Sequence, residues 1–468
     1  MSTNWYSIIA TGKPVVTVSG GTTSVGTTGA DFGYDTQQGN TTPGNYGGTP
    51  RSPTCGINEA LSYAANNGLP LVLLRPDTFT ITSSIVIPAN GIQFMGSGGG
   101  FVAGLPGQSS TSPVGTVINI PSGSSAFDAI QIFGTSTAPI RNVYIGGFSI
   151  TFGNTSTGTG HGINCNPPVN PDNTQYNLQG LTGSVFKDIL VSGHDNSHYA
   201  FVFVNEIYNV YENLSCQGGL GLLFQENDNV TGSANNYGNS TFTNITLGVG
   251  TGGTVPVQFV ATHDNGVNLC VFNRFQIGLN NSSVFGMLLK NCTWMVFNGL
   301  DIEFSSGSTN FKALQLSSCT MVQINGGNPG AQYGSIDLVG ASSNIVIVDP
   351  TDVTVTNSDS STLSGILILG GTVSSISSAN DQAVRWLGAP VQAISSVTVS
   401  GNSPFKYVNG ATYDVTATVS GGTVSKFVLQ RGSTQLTVNL SSGMFFLAAG
   451  DTLWIYFSSA PALQISPH

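Results

Sequence analysis

The sequence predicts an all-β chain, most of it wound into stacked coils of short parallel strands. Three observations predict this. Helix signals stop after one segment near the N-terminus. A seven-residue unit with an aromatic second position then recurs five times. Gly, Ser, Thr and Asn fill the gaps between short apolar bursts. Of 468 residues, 61 are Gly and only 7% are charged, against about 25% in an ordinary soluble domain. Yet 40% are hydrophobic, so the chain can bury a core and is not a disordered low-complexity tract.

Charge and composition exclude several function classes. The formal net charge is −10, with 12 Lys and Arg and no basic run, which argues against a nucleic-acid partner. No apolar run reaches the length of a membrane-spanning helix, so no membrane partner is expected. The start, MSTNWYSIIATG, lacks the basic and apolar regions of a signal peptide. It implies a mature form or another export route, such as assembly into a virus particle released by lysis. An extracellular or virion-surface location is the expectation. Cys55, Cys165, Cys216, Cys270, Cys292 and Cys319 form no CxxC pair, so they read as buried thiols, with no metal site among them.

In chain order, residues 1–50 are Gly-, Thr- and Ser-rich and read as an extended arm. Gly56 to Asn67 is the one good helix: Ile57, Ala60, Leu61 and Ala64 share a face, and Gly68 sits where a glycine ends a helix. The strands LVLL, TFTIT, SIVI and IQFMG follow. Then come VFKDILV, VYENLSC, TFTNITL, VFNRFQI and VFNGLDI. Their aromatics, Phe186, Tyr211, Phe242, Phe272 and Phe297, lie 25, 31, 30 and 25 residues apart. Such a unit cannot bury its own face alone, but stacked copies can, at about 4.8 Å per coil. The aromatics are then one buried column. Cys292 and Cys319 occupy matching places in KNCTWMV and SSCTMVQ and read as a thiol stack. From about residue 396 the pattern changes: Tyr413, Val415, Ala417 and Val419 alternate with polar residues, as in half-buried antiparallel strands.

The cap helix, RPDTFTI, IVIP and IQFMGSG resemble the entry to a right-handed parallel β-helix of the pectate-lyase-like superfamily. Members begin with a helix, a strand, a "pGtY"-like turn and a Gly-containing strand. Phage tailspikes and many secreted polysaccharide-degrading enzymes share this entry. The resemblance covers roughly residues 51–395. It implies the fold, and a polysaccharide as partner, without fixing a reaction, because the fold hosts lyases, hydrolases and inert adhesins. Residues 396–468 resemble a small β module that ends tail-fibre-like proteins. The spike-type resemblance also implies a homotrimer.

Catalytic candidates come from the 22 acids. Hydrolysis of a glycosidic bond needs two carboxyls, about 5–5.5 Å apart for retention or 6.5–9.5 Å for inversion. Glu206, Glu226, Asp228 and Asp264 follow the first strands of successive coils, with His263 beside them. Gathered on one edge they would split into an acid and a base through mutual repulsion. Glu226 and Asp228 make the first pair, and the competing reading is a solvated turn. Asp301 and Glu303 in GLDIEF point outward from one strand, on the same coil as Lys290 and Trp294, and form the second candidate. His194, Asp195 and His198, near His161, could hold a metal or make a polar loop. Elimination on a uronate would need a Lys or Arg base and Ca²⁺ to neutralise the substrate, and the acidic chain favours a neutral or weakly charged glycan instead. Three functions remain open at this point: a glycoside hydrolase without cofactor, a non-catalytic receptor-binding or structural spike, and a calcium-assisted lyase.

Overall fold

The structure, a computed structural model of the chain, describes residues 15–88, 90–98, 115–124, 126–132, 140–153, 160–165, 181–226, 237–250, 255–279, 285–304, 311–328, 334–351, 353–357, 365–378, 384–387, 394–411 and 414–467. The chain is a right-handed parallel β-helix with a cap helix and a small antiparallel module. Val185–Ser192 pairs in parallel with Val210–Gln217. The ladder then runs through Thr241–Val249, Val271–Leu279 and Cys292–Phe304 to Thr320–Asn328. A second sheet takes one strand from each coil, in coil order, from Ile85–Val86 to Val373–Ser378.

The aromatic repeat sets this register. Phe186, Tyr211, Phe242, Phe272 and Phe297 are fully buried partners on successive strands. Their ring centroids stack at 5.4, 4.5, 4.8 and 4.2 Å. Offset stacking adds about 0.5–1.5 kcal/mol per pair beyond burial. A one-residue slip would turn every ring to solvent. Cys292 and Cys319 stack as free, buried thiols.

Each long strand bends once in its middle. Gly147, Asp188, Asn213, Asn244, Arg274, Gly299 and Gly326 form one left-handed column, at φ between 54° and 75°. Asn and Gly suit that conformation. The side chains also ladder: Asn213 donates to Asp188 at 2.6 Å and Asn244 to Asn213 at 3.1 Å. The bend separates the two halves of each strand onto different faces of the coil.

The cap helix spans Ile57–Asn66, with Ile57, Ala60, Leu61 and Ala64 buried and Gly68 left-handed after it. Glu59 is buried too, because Ser52 and the Gly39 amide donate to it. Residues 15–50 differ from the expected arm. Val15–Ser19 pairs in parallel with Leu71–Leu74 and with Phe32–Gly33, so this stretch belongs to the first coil. Its alternation VVTVS buries Val16 and Val18, which an arm would leave exposed. Residues 1–14 lie outside the described residues.

The C-terminal part has its own core. Two four-stranded antiparallel sheets enclose Val415, Ala417, Val419, Phe427, Leu447, Leu453, Ile455 and Leu463. Tyr413 lies outside the described residues.

Candidate functional site

The acids expected to converge sit on one edge but turn different ways. Val204 pairs with Gln225, and Gln225 with Val260, so the segments after them stack as expected. Glu206, however, follows a left-handed Asn205 and enters the coil. It is fully buried and accepts hydrogen bonds from the Tyr211 hydroxyl and from Asn209 Nδ2. Burial pushes its carboxyl up to about 8, against those hydrogen bonds. At neutral pH it is a protonated core group with no path to a polymer.

Glu226 corrects the expectation differently. It is 1% exposed and accepts from the Thr262 amide and hydroxyl, both at 2.7 Å, and from the His263 amide at 3.2 Å. His263 Nδ1 lies 3.0 Å from it. Burial alone would raise this carboxyl, yet the bonds from Thr262 and His263 hold it below its usual value. Glu226 is thus a buried, ionised carboxylate held by Thr262 and His263, not a raised acid poised to donate a proton. Asp264 points to solvent one residue on. Asp228 lies outside the described residues, so no paired geometry with Glu226 can be drawn.

Asp301 and Glu303 share the outward face of one strand. Leu300 and Ile302 are buried, so the two acids between and after them face outward from Cys292–Phe304. Asp301 is half-buried and Glu303 exposed. Burial, the Glu303 charge and a hydrogen bond with Glu303 raise the Asp301 carboxyl to about 6. Gln276 and Asn328 are its partners on the coils before and after, and Gln276 Nε2 approaches Asp301 Oδ2 at 3.5 Å. Gly278 and then Gly248 occupy Glu303's column on the preceding coils, so no side chain crowds it from that side.

Lys290 and Trp294 are not part of this arrangement. Lys290 ends the second-sheet strand Phe285–Lys290, and Trp294 precedes the Gly299 bend, so both lie on other faces of the coil. Trp294 belongs instead to a second left-handed column: Asn142, Gly183, Tyr208, Asn239, Leu269, Trp294, Met321 and Asn344. Tyr208, Leu269, Trp294 and Met321 are 60, 47, 53 and 40% exposed. Large side chains are strained there, and sequence reasoning missed this ridge. Its only signal is a bulky residue two places before Val210, Val271 and Val296 in the repeated unit. Among the described residues, no group of three or more His, Cys, Asp or Glu is disposed to hold a metal.

No family model matches the chain. No curated protein matches it either. Solved structures of similar shape include tailspike protein 2 of the Escherichia coli O157:H7 bacteriophage CAB120, with 12% identity and a TM-score of 0.47. That match covers 91% of this chain and 62% of the tailspike, so the chain spans less than two thirds of its length. The A-module of the mannuronan C-5 epimerase AlgE4 of Azotobacter vinelandii is also similar, at 12% identity and a TM-score of 0.44. That match covers 71% of this chain and 93% of the module.

Proposed function

We propose that the chain binds a polysaccharide and cleaves it by hydrolysis, with Asp301 as the acid and Glu303 as the base. The observation that carries this is an outward carboxyl raised to about 6 beside a second, exposed carboxyl two residues on. Cβ atoms two residues apart on a strand lie about 6.6 Å from each other. In the structure the two side chains hydrogen-bond to each other. When a sugar enters, rotation of Glu303 opens the spacing that a bond, a water and two carboxyls need for inversion. Protonated Asp301 then donates to the glycosidic oxygen, and ionised Glu303 takes a proton from the attacking water.

The flat ladder of parallel strands suits a long polymer, and the low, acidic charge suits a neutral or weakly charged one. Hydrolysis is favoured over elimination because, among the described residues, no cation stands beside the pair. Lys290 is on another face, and Arg274 sits at the bend of the preceding coil. No cofactor is required by this chemistry; Ca²⁺ would enter only with elimination. The test is incubation with a glycan panel. New reducing ends without the ultraviolet absorbance of an unsaturated uronate mean hydrolysis. Both signals together would move the reading to a lyase.

A second reading is a non-catalytic spike or adhesin, favoured by the structural use of Glu206 and Glu226. It follows if no glycan is cut. In either case we propose a homotrimer at a virion or cell surface, supported by the exposed ridge from Tyr208 to Met321. Light scattering at the monomer mass of 48.3 kDa would remove the trimer.

A further inference from the structure

Three of the five histidines gather at one corner, away from Asp301. His161 precedes the strand Ile163–Cys165, and His194 and His198 lie in the turn between Val185–Ser192 and Tyr199–Val204 on the next coil. The rings of His161 and His198 meet edge to face at 5.1 Å.

Each ring is fixed by its Nδ1. Asp195 Oδ1 lies 2.7 Å from His198 Nδ1, so His198 carries its proton there and leaves Nε2 an acceptor. Asp195 is held in turn by the Ser197 amide at 2.8 Å. His161 Nδ1 accepts the Tyr199 amide at 2.9 Å, so the neutral ring carries its proton on Nε2, a donor. Asp128 accepts the His161 amide at 2.9 Å and anchors that backbone. Among the described residues neither Nε2 has a hydrogen-bond partner, and both residues are partly exposed. His194 is already used: its Nε2 lies 2.8 Å from the Leu220 carbonyl in a buried site.

We propose that His161 and His198 form a binding subsite for two neighbouring hydroxyls of a neutral sugar. His161 Nε2–H donates to one hydroxyl oxygen, and the other hydroxyl donates to His198 Nε2. The competing ligands fail on chemistry. A divalent metal bridging both rings needs two bare Nε2 atoms, and the Tyr199 amide leaves only one. An anion would meet the Asp128 and Asp195 carboxylates. Among the described residues the charged and titratable groups facing the pair are those two acids, buried His194 and Tyr199, whose ring stacks on His161.

This subsite rests on the reading that the ligand is a glycan, but not on Asp301. From the coil of His198 to that of Glu303 is four coils, so about 19 Å separates the two levels along the axis. A polymer of several sugars can engage both.

The experiment follows the ring nitrogens of the full chain by NMR while neutral gluco-, galacto-, manno- and rhamno-oligosaccharides are added, and measures reducing ends in parallel. We expect one oligosaccharide to move both Nε2 signals. Its affinity should fall about tenfold in His198→Asn and in Asp195→Asn, the effect of one lost hydrogen bond. Asp301→Asn should stop the release of reducing ends while both Nε2 signals still move. Melting temperatures check that the variants fold, and the ring signals of the unmutated chain test the proposal if they do not. Ring signals that move without hydrolysis keep the subsite and remove the hydrolase reading. Hydrolysis with unmoved rings, or unweakened binding by folded His198→Asn, removes the subsite alone. No response of either kind removes both. Zn²⁺ moving both Nε2 signals would overturn the tautomer assignment and the subsite with it.

Discussion

Glu206 and Asp301 are both carboxyls raised by burial, to about 8 and about 6, yet they occupy opposite sides of the coil wall. Glu206 sits inside among Tyr211 and Asn209 and never meets solvent. Asp301 sits outside, with an exposed acid beside it and a flat polar row on the neighbouring coils. A raised carboxyl is therefore a sign of catalysis only where a substrate can reach it. Inward groups should answer to stability measurements, and outward groups to activity.

The largest effect tests the inner wall. Phe242→Ala should cost about 3–5 kcal/mol in denaturant unfolding, the usual loss for a buried ring. It touches Tyr211 and Phe272 on either side, so collapse into the space is limited. A cost below that range would mean that the column does not hold the coils together.

The outer wall comes next. Asp301→Asn should lower turnover at least about a hundredfold and leave the melting temperature nearly unchanged. The pH profile adds a sign. Asp301 must be protonated to donate, so activity is lost as pH rises through about 6. A profile that climbs through that pH would exclude Asp301 as the acid.

Glu226→Gln separates the two walls where they meet. The carboxylate is buried under three donors from Thr262 and His263, besides the His263 ring. Its amide should cost about 1–3 kcal/mol. Because the folded carboxyl is held low, that contribution is present above the unfolded value and lost as pH falls through the folded one. A variant as stable as the parent at every pH would return Glu226 to the catalytic candidates.

Glu206→Gln carries the opposite sign. The folded carboxyl titrates near 8, well above its ordinary value, so the parent should lose stability as pH rises from about 4.5 to 8. The amide keeps an acceptor for Tyr211 and Asn209 without a titrating proton. Its melting temperature should stay level across that window. A parent whose stability does not fall there would mean that Glu206 is ionised at neutral pH.

How far the sequence could be read follows the same division. The aromatic period specified the inner wall, because burial imposes one residue type at one register and the pattern repeats. The alternation in GLDIEF placed Asp301 and Glu303 outside for the same reason. Corners defeated the reading. Left-handed Asn205 changes which way Glu206 points, and Gly299 moves Trp294 to another face from Asp301. Neither change of direction has a period, so neither shows in spacing. The strand Val15–Ser19 escaped because five residues among Gly and Thr look like linker until Leu71–Leu74 lies beside them.

The smallest expected effect concerns the two left-handed columns. The bend column is mostly Asn, Asp and Gly, whereas the other carries Tyr208, Leu269, Trp294 and Met321 in the same conformation. A left-handed L-residue costs about 1–2 kcal/mol, and Asn tolerates it better. Leu269→Asn should relieve part of that strain. It also removes a side chain about half buried, worth roughly 1 kcal/mol of the 1.5–3 for full burial. The two terms nearly cancel, so the folding stability of the isolated chain should change by less than about 1 kcal/mol. They do not cancel in an assembly. If copies of the chain cover the ridge, the substitution also forfeits the burial Leu269 would gain there, with no further strain relieved to offset it. Light scattering across a dilution series should then show Leu269→Asn dissociating at a higher concentration than the parent, with unchanged melting of the separated chain. Equal dissociation would mean that the ridge faces water in the assembly, and its strain would then need a ligand other than a second copy.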